Sequence, residues 1–454
     1  MSRTSSLLLP ALLALLGAGA PQPGLAGPSP AAAAPVAAAP DQGAVALAIK
    51  LLDHLDAGRF AEAESLFSPE MRAAVPADKL QQVWVSLSQN MGAPGPRGVP
   101  TTIAHGDMTV VSVPLPYAKA NLAARITSDA SGRIAGFLIQ PGPPPVAAPV
   151  PSTSHVEREI SVGSGERALP ATLTLPTAAS AAAPVPAVVL VHGSGPQDRD
   201  ETMGPNRPFL DIAHGLAARG IAVLRYEKRT RVRPQDLAGI DFNVDDEVTR
   251  DAVAAIASVR AVEGVDRGRV FVLGHSLGGM LAPRIASQSG QVAGVVLMAA
   301  PARPVLDLML EQSHRLAAGD GTVSETEQQA LDDLGARVKR VRGAGEVAAA
   351  DSPMGLPVSY WRSLESIDPV ADALALRRPT LVVHGGRDIQ VVDADWQRWR
   401  DQLSELRNVR LRHYPALNHL GIAGKGPGTV EEYLTAGHVD AQLIDDIAGW
   451  IRQR

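Results

Sequence analysis

The feature that most constrains the fold is an alternation of short apolar runs with helical patterns through the C-terminal two thirds of the chain. The runs are almost continuously apolar, as expected when helices cover both faces of a parallel sheet. They occupy 187–191, 221–225, 270–273, 292–298, 380–383 and 409–414. The helical patterns between them occupy 208–219, 245–262, 278–289, 393–406 and 439–451. This order predicts a doubly wound α/β domain with a mostly parallel sheet.

Two further segments complete the prediction for this domain. An antiparallel hairpin precedes the first run, with a glycine turn at 163–165 and alternating Thr and Leu at 172–175. Residues 302–372 interrupt the alternation with helical, loop-rich sequence that lacks a strand pattern. Because ligands bind at the C-terminal edge of such sheets, an insertion there is expected to overhang the ligand cleft as a lid.

A smaller module precedes the α/β domain. Apolar positions at helical spacing predict helices within 45–55 and 80–91. Strand-like runs follow at 108–115, 121–127 and 133–140. Helices followed by a small antiparallel sheet indicate an α+β module. Its residues contain no catalytic constellation.

Two segments rich in Ala and Pro separate the parts of the chain, at 27–40 and 141–154. Segments of this composition have little to bury and act as tethers or stiff spacers. They divide the chain into the α+β module at 41–140 and the larger domain at 155–454.

Residues 1–26 have the pattern of a signal peptide. Arg3 supplies a positive charge, and the apolar stretch at 7–16 ends in small residues, with cleavage after Ala20 or Ala26. The stretch is too short to span a bilayer comfortably. We therefore expect a secreted or periplasmic protein with no integral membrane segment after cleavage.

The composition excludes several classes of function. The 454 residues contain no cysteine, which excludes disulfides, thiol nucleophiles and Cys-ligated zinc. The formal net charge of −5 and the scattered basic residues do not indicate a nucleic-acid partner. A basic cluster at 225–233 (RYEKRTRVR) is the exception. We expect a solvated loop there, and contact with an anionic substrate group is the alternative.

The strongest catalytic pattern is the stretch 274–279 (GHSLGG). It follows the run at 270–273 and opens the helical pattern at 278–289, which is the context that a G-x-S-x-G motif requires. The sharp strand-to-helix turn holds the serine in a strained backbone conformation, with its Oγ projecting into the cleft near the positive end of the helix. Ser276 is therefore the predicted nucleophile.

A serine nucleophile requires a base that takes its proton and an acid that orients the base. In this arrangement the chain order is Ser, then Asp or Glu, then His, with each partner on a loop after a strand. Asp388 follows the next-to-last run across a glycine turn, and His419 comes just past the last run. Asp393 and Asp395 compete for the role of the acid, but they have the position of a helix start, where Asp is common.

Acyl transfer also requires two backbone N–H groups directed at the developing oxyanion. Leu277, directly after the nucleophile, supplies one of them. The other comes from the glycine-rich loop that follows the run at 187–191, through Ser194, with Gly195 as the alternative.

These motifs resemble those of the α/β-hydrolase superfamily. Residues 155–454 look most like its bacterial esterase and dienelactone-hydrolase-like branch, which shares the stretch HGSGPQDRD at 192–200. Residues 41–140 resemble the small cystatin/NTF2-like (DUF3887-type) domains that precede such hydrolases in exported bacterial proteins. One departure is that relatives commonly have R-G-x-G-x-S where this chain has KRTRVR at 228–233. That loop bears on the mouth of the cleft.

The resemblance implies an α/β-hydrolase fold and a serine hydrolase that cleaves small-molecule carboxylic esters through an acyl-enzyme, with no cofactor or metal. Carried over by position, the triad is Ser276, Asp388 and His419, and the oxyanion hole is formed by Leu277 and Ser194.

Alternative functions remain open at this point. The same triad serves serine peptidases and acyl-transferases or thioesterases, and a hydrolase-like body also serves non-catalytic binding proteins. Apolar lid residues either face an acyl chain or pack the lid onto the body: Val305, Leu306, Leu308, Met309, Leu310, Tyr360 and Trp361. The oligomeric state is not determined by the sequence.

Overall fold

The computed structural model describes residues 42–98, 100–105, 108–142, 152–319 and 321–454. The predicted signal peptide and first linker lie outside these residues, as does most of the second linker. Within the described ranges, no helix combines the length and apolar character needed to cross a membrane. The same ranges contain no group of three or more His, Asp or Glu side chains that could hold a metal ion.

The N-terminal module packs helices against a small antiparallel sheet. Its helices are α1 (Gln42–Asp56), α2 (Phe60–Ser65), α3 (Pro69–Ala74) and α4 (Ala77–Met91). Its strands, paired in chain order, are β1 (Thr101–His105), β2 (Met108–Tyr117), β3 (Ala120–Ser128) and β4 (Ile134–Pro141). The apolar stripe of α1 is buried with alternate residues of β2 and β3. The α+β prediction is confirmed, although β1 was missed because it follows a segment rich in Gly and Pro.

The larger domain is built on an eight-stranded sheet. Its strands are β5 (His155–Val162), β6 (Leu169–Pro176), β7 (Val185–Val191), β8 (Ala222–Tyr226), β9 (Val265–His275), β10 (Gly294–Met298), β11 (Thr380–Gly385) and β12 (Val409–Tyr414). Their order across the sheet is β12-β11-β10-β9-β7-β8-β6-β5. The hairpin β5–β6 is antiparallel and joins β8 antiparallel, whereas β8, β7, β9, β10, β11 and β12 are mutually parallel.

Helices cover both faces of this sheet. The α-helices of this domain are α5 (Pro208–Ala217), α6 (Arg229–Val232), α7 (Arg250–Arg260), α8 (Leu277–Ser289), α9 (Val305–Ala317), α10 (Glu325–Arg342), α11 (Val358–Glu365), α12 (Pro369–Leu376), α13 (Asp393–Leu403) and α14 (Ala441–Arg452). The apolar residues of α5 and α14 pack on one face, and those of α7, α8, α12 and α13 pack on the other. This burial of both faces explains the continuous apolar runs. The predicted doubly wound, mostly parallel fold is confirmed.

The chain between β10 and β11 forms the helical insertion α9–α12. Its start is fixed to the body by Asp395, which is fully buried and accepts hydrogen bonds from the backbone N–H groups of Ala302 and Arg303. The Arg303 guanidinium also pairs with this carboxylate at 2.7 Å. Asp395 lies in the first turn of α13, as predicted, but it bonds to the insertion rather than only to its own helix.

The prediction of a solvated loop for the basic cluster at 225–233 is wrong for three of its five cations, whereas Arg231 is exposed. Arg225, Lys228 and Arg229 are all buried. Each is paired with carboxylates: Arg225 with Asp200 and Glu157, Lys228 with Glu247, and Arg229 with Asp236 and Asp251. Burial of a charge is tolerated when a partner of opposite sign and hydrogen bonds compensate the lost hydration. The compensating carboxylates come from other segments of the chain, which a local pattern does not reveal.

Candidate active site

Ser276 lies on the tight turn between β9 and α8. Its backbone has φ 52° and ψ −119°, a conformation that L-residues rarely adopt, so the turn is strained. The flanking glycines have no room for a side chain. A Cβ at Gly274 would overlap the carbonyl oxygen of Gly278, and a Cβ at Gly278 would overlap that of Val191. Close packing of strand, turn and helix therefore requires glycine on both sides of the serine.

Asp388 and His419 are hydrogen-bonded to each other, with 2.7 Å between Asp388 Oδ2 and His419 Nδ1. Their side chains are almost completely buried, at 0% and 2% exposure. The other carboxylate oxygen of Asp388 accepts from the backbone N–H groups of Gln390 at 2.8 Å and Val391 at 2.9 Å. A carboxylate held in this way fixes the direction of the imidazole ring.

The pKa of Asp388 is set by opposing effects. Burial alone raises this pKa. The charge on His419, the hydrogen bond to His419 and the N–H of Val391 act in the opposite direction and lower it. The net pKa lies below the ordinary value for Asp, so the carboxylate is ionised at neutral pH. An ionised Asp388 accepts a hydrogen bond from the Nδ1–H group of His419, which leaves Nε2 as the nitrogen that can accept a proton.

Backbone contacts hold the loops of these two residues together. The N–H of Gly386 donates to Tyr414 O and that of Arg387 donates to Leu417 O, each at 2.9 Å. A Cβ at Gly386 would lie 2.9 Å from Pro415 Cα, closer than side chains approach. The glycine turn after β11 is therefore what allows the Asp388 loop to lie against the His419 loop.

The His419 loop is also bonded to the Ser276 turn. His275 Nε2 lies 2.9 Å from the backbone oxygen of His419, and the two imidazole rings are 4.6 Å apart between centroids. Among the described residues, no hydrogen bond joins Ser276 Oγ to His419 Nε2. That contact often forms only when substrate is in place. The structure thus brings Ser276, Asp388 and His419 to the same edge of the sheet, past the C-terminal ends of β9, β11 and β12.

The loop after β7 lies beside the Ser276 turn. A Cβ at Gly193 would lie 3.1 Å from Ser276 Cβ. The N–H of Gly193 donates to Glu201 Oε1 at 2.5 Å, and its carbonyl oxygen accepts from Lys228 Nζ at 2.8 Å. Both peptide groups of Gly193 are therefore held by charged side chains.

A cavity of about 670 Å³ opens from Ser276 toward the insertion. The two predicted oxyanion residues, Ser194 and Leu277, line it together with Ser276. Most of its other lining residues are apolar and come from α9, α11 and the segment before α7: Val305, Leu308, Met309, Tyr360, Trp361, Leu364, Leu237 and Phe242. Leu306 belongs instead to the buried core of the domain. Five of the seven apolar lid residues named from the sequence thus line the cavity.

Sequence comparison places the chain in a known family. A family model described as "Serine aminopeptidase, S33" matches residues 182–422, more than half of the chain. The chain belongs to this α/β-hydrolase family. A second model, described as a protein of unknown function (DUF3887), matches residues 48–137 in the N-terminal module. The predicted resemblance to an α/β-hydrolase with a DUF3887-type domain is therefore confirmed.

This S33-family chain is similar to esterase EstD of Thermotoga maritima. The two are 37% identical over 407 residues, which cover 89% of this chain and 94% of EstD. Among solved structures, Est1E of Butyrivibrio proteoclasticus matches with a TM-score of 0.41 and 15% identity, over 65% of this chain and 99% of Est1E. An esterase of Pyrococcus furiosus matches with a TM-score of 0.43 and 14% identity, over 68% of this chain and 96% of that protein.

Three charged residues around this site of the S33-family chain were missed from the sequence. Glu201, His275 and Lys228 are all buried, with 2% to 3% exposure. Glu201 Oε2 lies 3.0 Å from His275 Nδ1. The only local signal for Glu201 is its position directly after the stretch 192–200, and His275 is the variable position of the serine motif. Neither signal indicates that the two side chains meet.

Burial and pairing act in opposite directions on the pKa values of Glu201 and His275. Burial alone raises the pKa of Glu201 and lowers that of His275. Burial is the largest single effect, but the mutual attraction together with neighbouring hydrogen bonds and charges outweighs it, so the pKa of Glu201 falls below its ordinary value and that of His275 rises above its own. Each partner thus favours the charged form of the other in this buried contact between the Gly193 loop and the His419 backbone.

Proposed function

We propose that this protein is a serine esterase that cleaves carboxylic esters through an acyl-enzyme. The observation that carries the proposal is the buried 2.7 Å hydrogen bond between Asp388 and His419, at the sheet edge where Ser276 opens onto a cavity. The family membership supports ester hydrolysis, and so does the name of the relative EstD.

In the first step, His419 Nε2 takes the proton from Ser276 Oγ as Oγ attacks the ester carbonyl carbon. Asp388 holds the imidazole ring and stabilises its charged form. The carbonyl oxygen becomes an oxyanion, and the backbone N–H groups of Leu277 and Ser194 donate to it. The positive end of α8 favours the same negative charge, since Leu277 is the first residue of that helix.

The tetrahedral intermediate then collapses. The carbon–oxygen bond to the alcohol breaks, and the alkoxide leaves with the proton held by His419. A water molecule then attacks the acyl-enzyme while His419 takes its proton, and Ser276 leaves with that proton to regenerate the enzyme. The two halves use the same groups in reversed roles.

The cavity supports an apolar acyl or alcohol group as the part of the substrate that is bound. Its volume of about 670 Å³ lies in the range of small-molecule sites. Leu308, Met309 and Trp361 present apolar surface there. Burial of each methylene of a substrate chain against such a wall is worth about 0.8 kcal/mol.

The test is hydrolysis of p-nitrophenyl esters of increasing acyl length by the wild type, by Ser276→Ala and by Ser287→Ala. We expect the wild type and Ser287→Ala to be active, because Ser287 is an exposed residue on the same helix. Ser276→Ala should lose about four orders of magnitude in kcat or more. Equal inactivity of all three proteins would contradict the proposal and favour a binding protein.

The peptidase and thioesterase alternatives are tested with the same variants. The wild type is assayed on aminoacyl p-nitroanilides and on acyl thioesters of matched acyl length. We expect kcat/KM to be highest for the oxygen esters. A higher value on p-nitroanilides that Ser276→Ala abolishes would assign the triad to peptide chemistry instead.

We also propose that the protein is exported to the periplasm or the medium and that residues 1–26 are removed. The pattern of Arg3 and the apolar stretch at 7–16 supports this. The check is mass spectrometry of the N-terminus of the protein recovered from each cell fraction. An intact Met1 on cytoplasmic protein would contradict export.

A further inference from the structure

The direction of the Ser194 N–H is set by the peptide group to which it belongs. A trans peptide is planar, and its C=O and N–H point in opposite directions. The N–H of Ser194 and the C=O of Gly193 form one such group. Whatever binds the carbonyl oxygen of Gly193 therefore also aims the N–H of Ser194.

The group that binds this carbonyl oxygen is the Lys228 ammonium. Its Nζ lies 2.8 Å from Gly193 O, and Lys228 is 2% exposed. The same Nζ lies 2.8 Å from Glu247 Oε1, and Glu247 is also buried, within a π-helical turn at Asp245–Thr249. The lysine thus connects the loop after β7 to a buried carboxylate in that π-helical turn.

Further bonds join the two segments. The backbone N–H of Lys228 donates to Gln197 O at 3.2 Å, and the hydroxyl of Thr230 donates to Gly195 O at 3.5 Å. On the other side, Glu201 binds the N–H of Gly193. The loop is therefore held at both ends, and Lys228 provides the contact that acts on the Gly193–Ser194 peptide itself.

A buried lysine is a costly choice for a purely structural role. Apolar residues of similar volume often stabilise a fold as well as a buried ion pair does, because the pair must recover its lost hydration. A cation bonded to a carbonyl oxygen has an electrostatic effect on the peptide group that an apolar side chain cannot have. It polarises the peptide and strengthens the N–H on its far side as a donor.

We propose that Lys228 is a positioning residue of the oxyanion hole, acting through the Gly193–Ser194 peptide and supported by Glu247. This inference rests on the proposed esterase function. Lys228 does not touch the substrate. It aims and polarises the N–H that donates to the oxyanion, so its effect is expressed in the transition state and not in the binding of the ester.

The test compares wild type with Lys228→Met, which keeps an unbranched side chain only one atom shorter and removes its charge. We expect kcat to fall about ten- to a hundredfold with KM nearly unchanged. This decrease is smaller than the hundred- to thousandfold decrease in kcat that removal of one oxyanion donor causes. Rates are expressed per active site, counted by the end point of labelling with a fluorophosphonate.

The decisive readout is the inhibition constant of an alkyl trifluoromethyl ketone. Ser276 Oγ bonds to its carbonyl carbon, the proton passes to His419, and the ketone oxygen becomes an oxyanion in the hole. For Lys228→Met this constant should rise by the same factor by which kcat/KM falls. If the role of Lys228 is purely structural, Lys228→Met will lower the melting temperature and leave the inhibition constant unchanged.

Arg229→Met is the matched control. Arg229 is the adjacent buried cation, but its guanidinium binds Asp251 and Asp236 and not the loop after β7. It should lose stability and keep its kcat and its inhibition constant. Glu247→Gln should show a smaller change than Lys228→Met, because the lysine remains without its anionic partner.

The outcomes separate this inference from the proposed function. Wild-type inactivity on every ester would overturn both. An active wild type with an unchanged inhibition constant in Lys228→Met would overturn the role of Lys228 alone. If Lys228→Met does not fold by near-UV circular dichroism, Glu247→Gln carries the test, and an unchanged inhibition constant in that variant would overturn the inference.

Discussion

His275 Nε2 donates a hydrogen bond over 2.9 Å to the backbone carbonyl oxygen of His419. The residue before the proposed nucleophile is thus bonded to the backbone of the proposed base. On its other side His275 pairs with Glu201, whose second oxygen binds the N–H of Gly193. One buried imidazole therefore connects three loops of the site, through a hydrogen bond to one partner and an ion-pair contact with the other.

The His275–Glu201 pair should make stability depend on pH above neutrality. Because the folded pKa of His275 is raised, its stabilisation is full below about pH 6.5 and is lost as the pH rises through the folded value. The reference is the double variant Glu201→Gln/His275→Gln, which replaces both charges by amides. We expect the difference in unfolding free energy between wild type and double variant to shrink from pH 6.5 to 9.5, measured by urea denaturation. A constant difference would contradict the ion pair.

Asp388→Asn should lower kcat about three to four orders of magnitude while the protein stays folded. An amide at this position presents an N–H to Nδ1 or fixes the wrong tautomer of His419. Asp393→Asn is the control, since the Asp393 side chain is 61% exposed and competes for the same role in the sequence. Kinetics on a p-nitrophenyl ester decide between the two. A larger loss in Asp393→Asn would assign the acid to that residue.

Leu308→Trp should narrow the range of acyl-chain lengths that the protein hydrolyses. Leu308 is 3% exposed and lines the cavity, so a larger side chain fills space that a substrate chain would use. Exclusion of two methylenes costs about 1.6 kcal/mol, which is more than tenfold in kcat/KM. We expect the ratio of kcat/KM for octanoate to that for acetate to fall by about that factor. Val323→Trp, at an exposed position of the insertion, should leave the ratio unchanged.

His192 should destabilise the protein in acid. Burial lowers the pKa of His192 to about 4, because its charged form would lose hydration. Between pH 6.5 and 4 the unfolded chain binds a proton there that the folded chain does not, so stability falls as the pH falls. The loss reaches about 3 kcal/mol at pH 4. His192→Gln should show a shallower decline in urea midpoints between pH 7 and 4. Parallel declines would contradict this assignment.

The sequence predicts the sheet well because burial on both faces leaves a pattern in every strand. The runs at 187–191 and 380–383 fall within β7 and β11. Strand β1 has no such pattern, since it belongs to a small sheet and follows a segment rich in Gly and Pro. Short helices such as α2 and α3 also leave too few turns for a recognisable stripe.

The site is predictable to the extent that its residues lie in local motifs. Ser276, Asp388 and His419 each follow a strand, and the structure places all three at one edge of the sheet. Their assignment as a triad stays a prediction until the kinetics are measured. Lys228 and Glu247 could not be found this way, because their contact joins segments that are separated along the chain, and a buried charge looks like a surface charge in sequence.

The insertion α9–α12 is one contiguous stretch fixed at its start by Asp395, and it supplies much of the cavity wall. The proposed catalytic groups all come from other loops. The sequence of the insertion can therefore change during evolution without altering the proposed catalytic groups. Exchange of this single insertion between relatives would change the range of substrates in one step and leave the reaction unchanged.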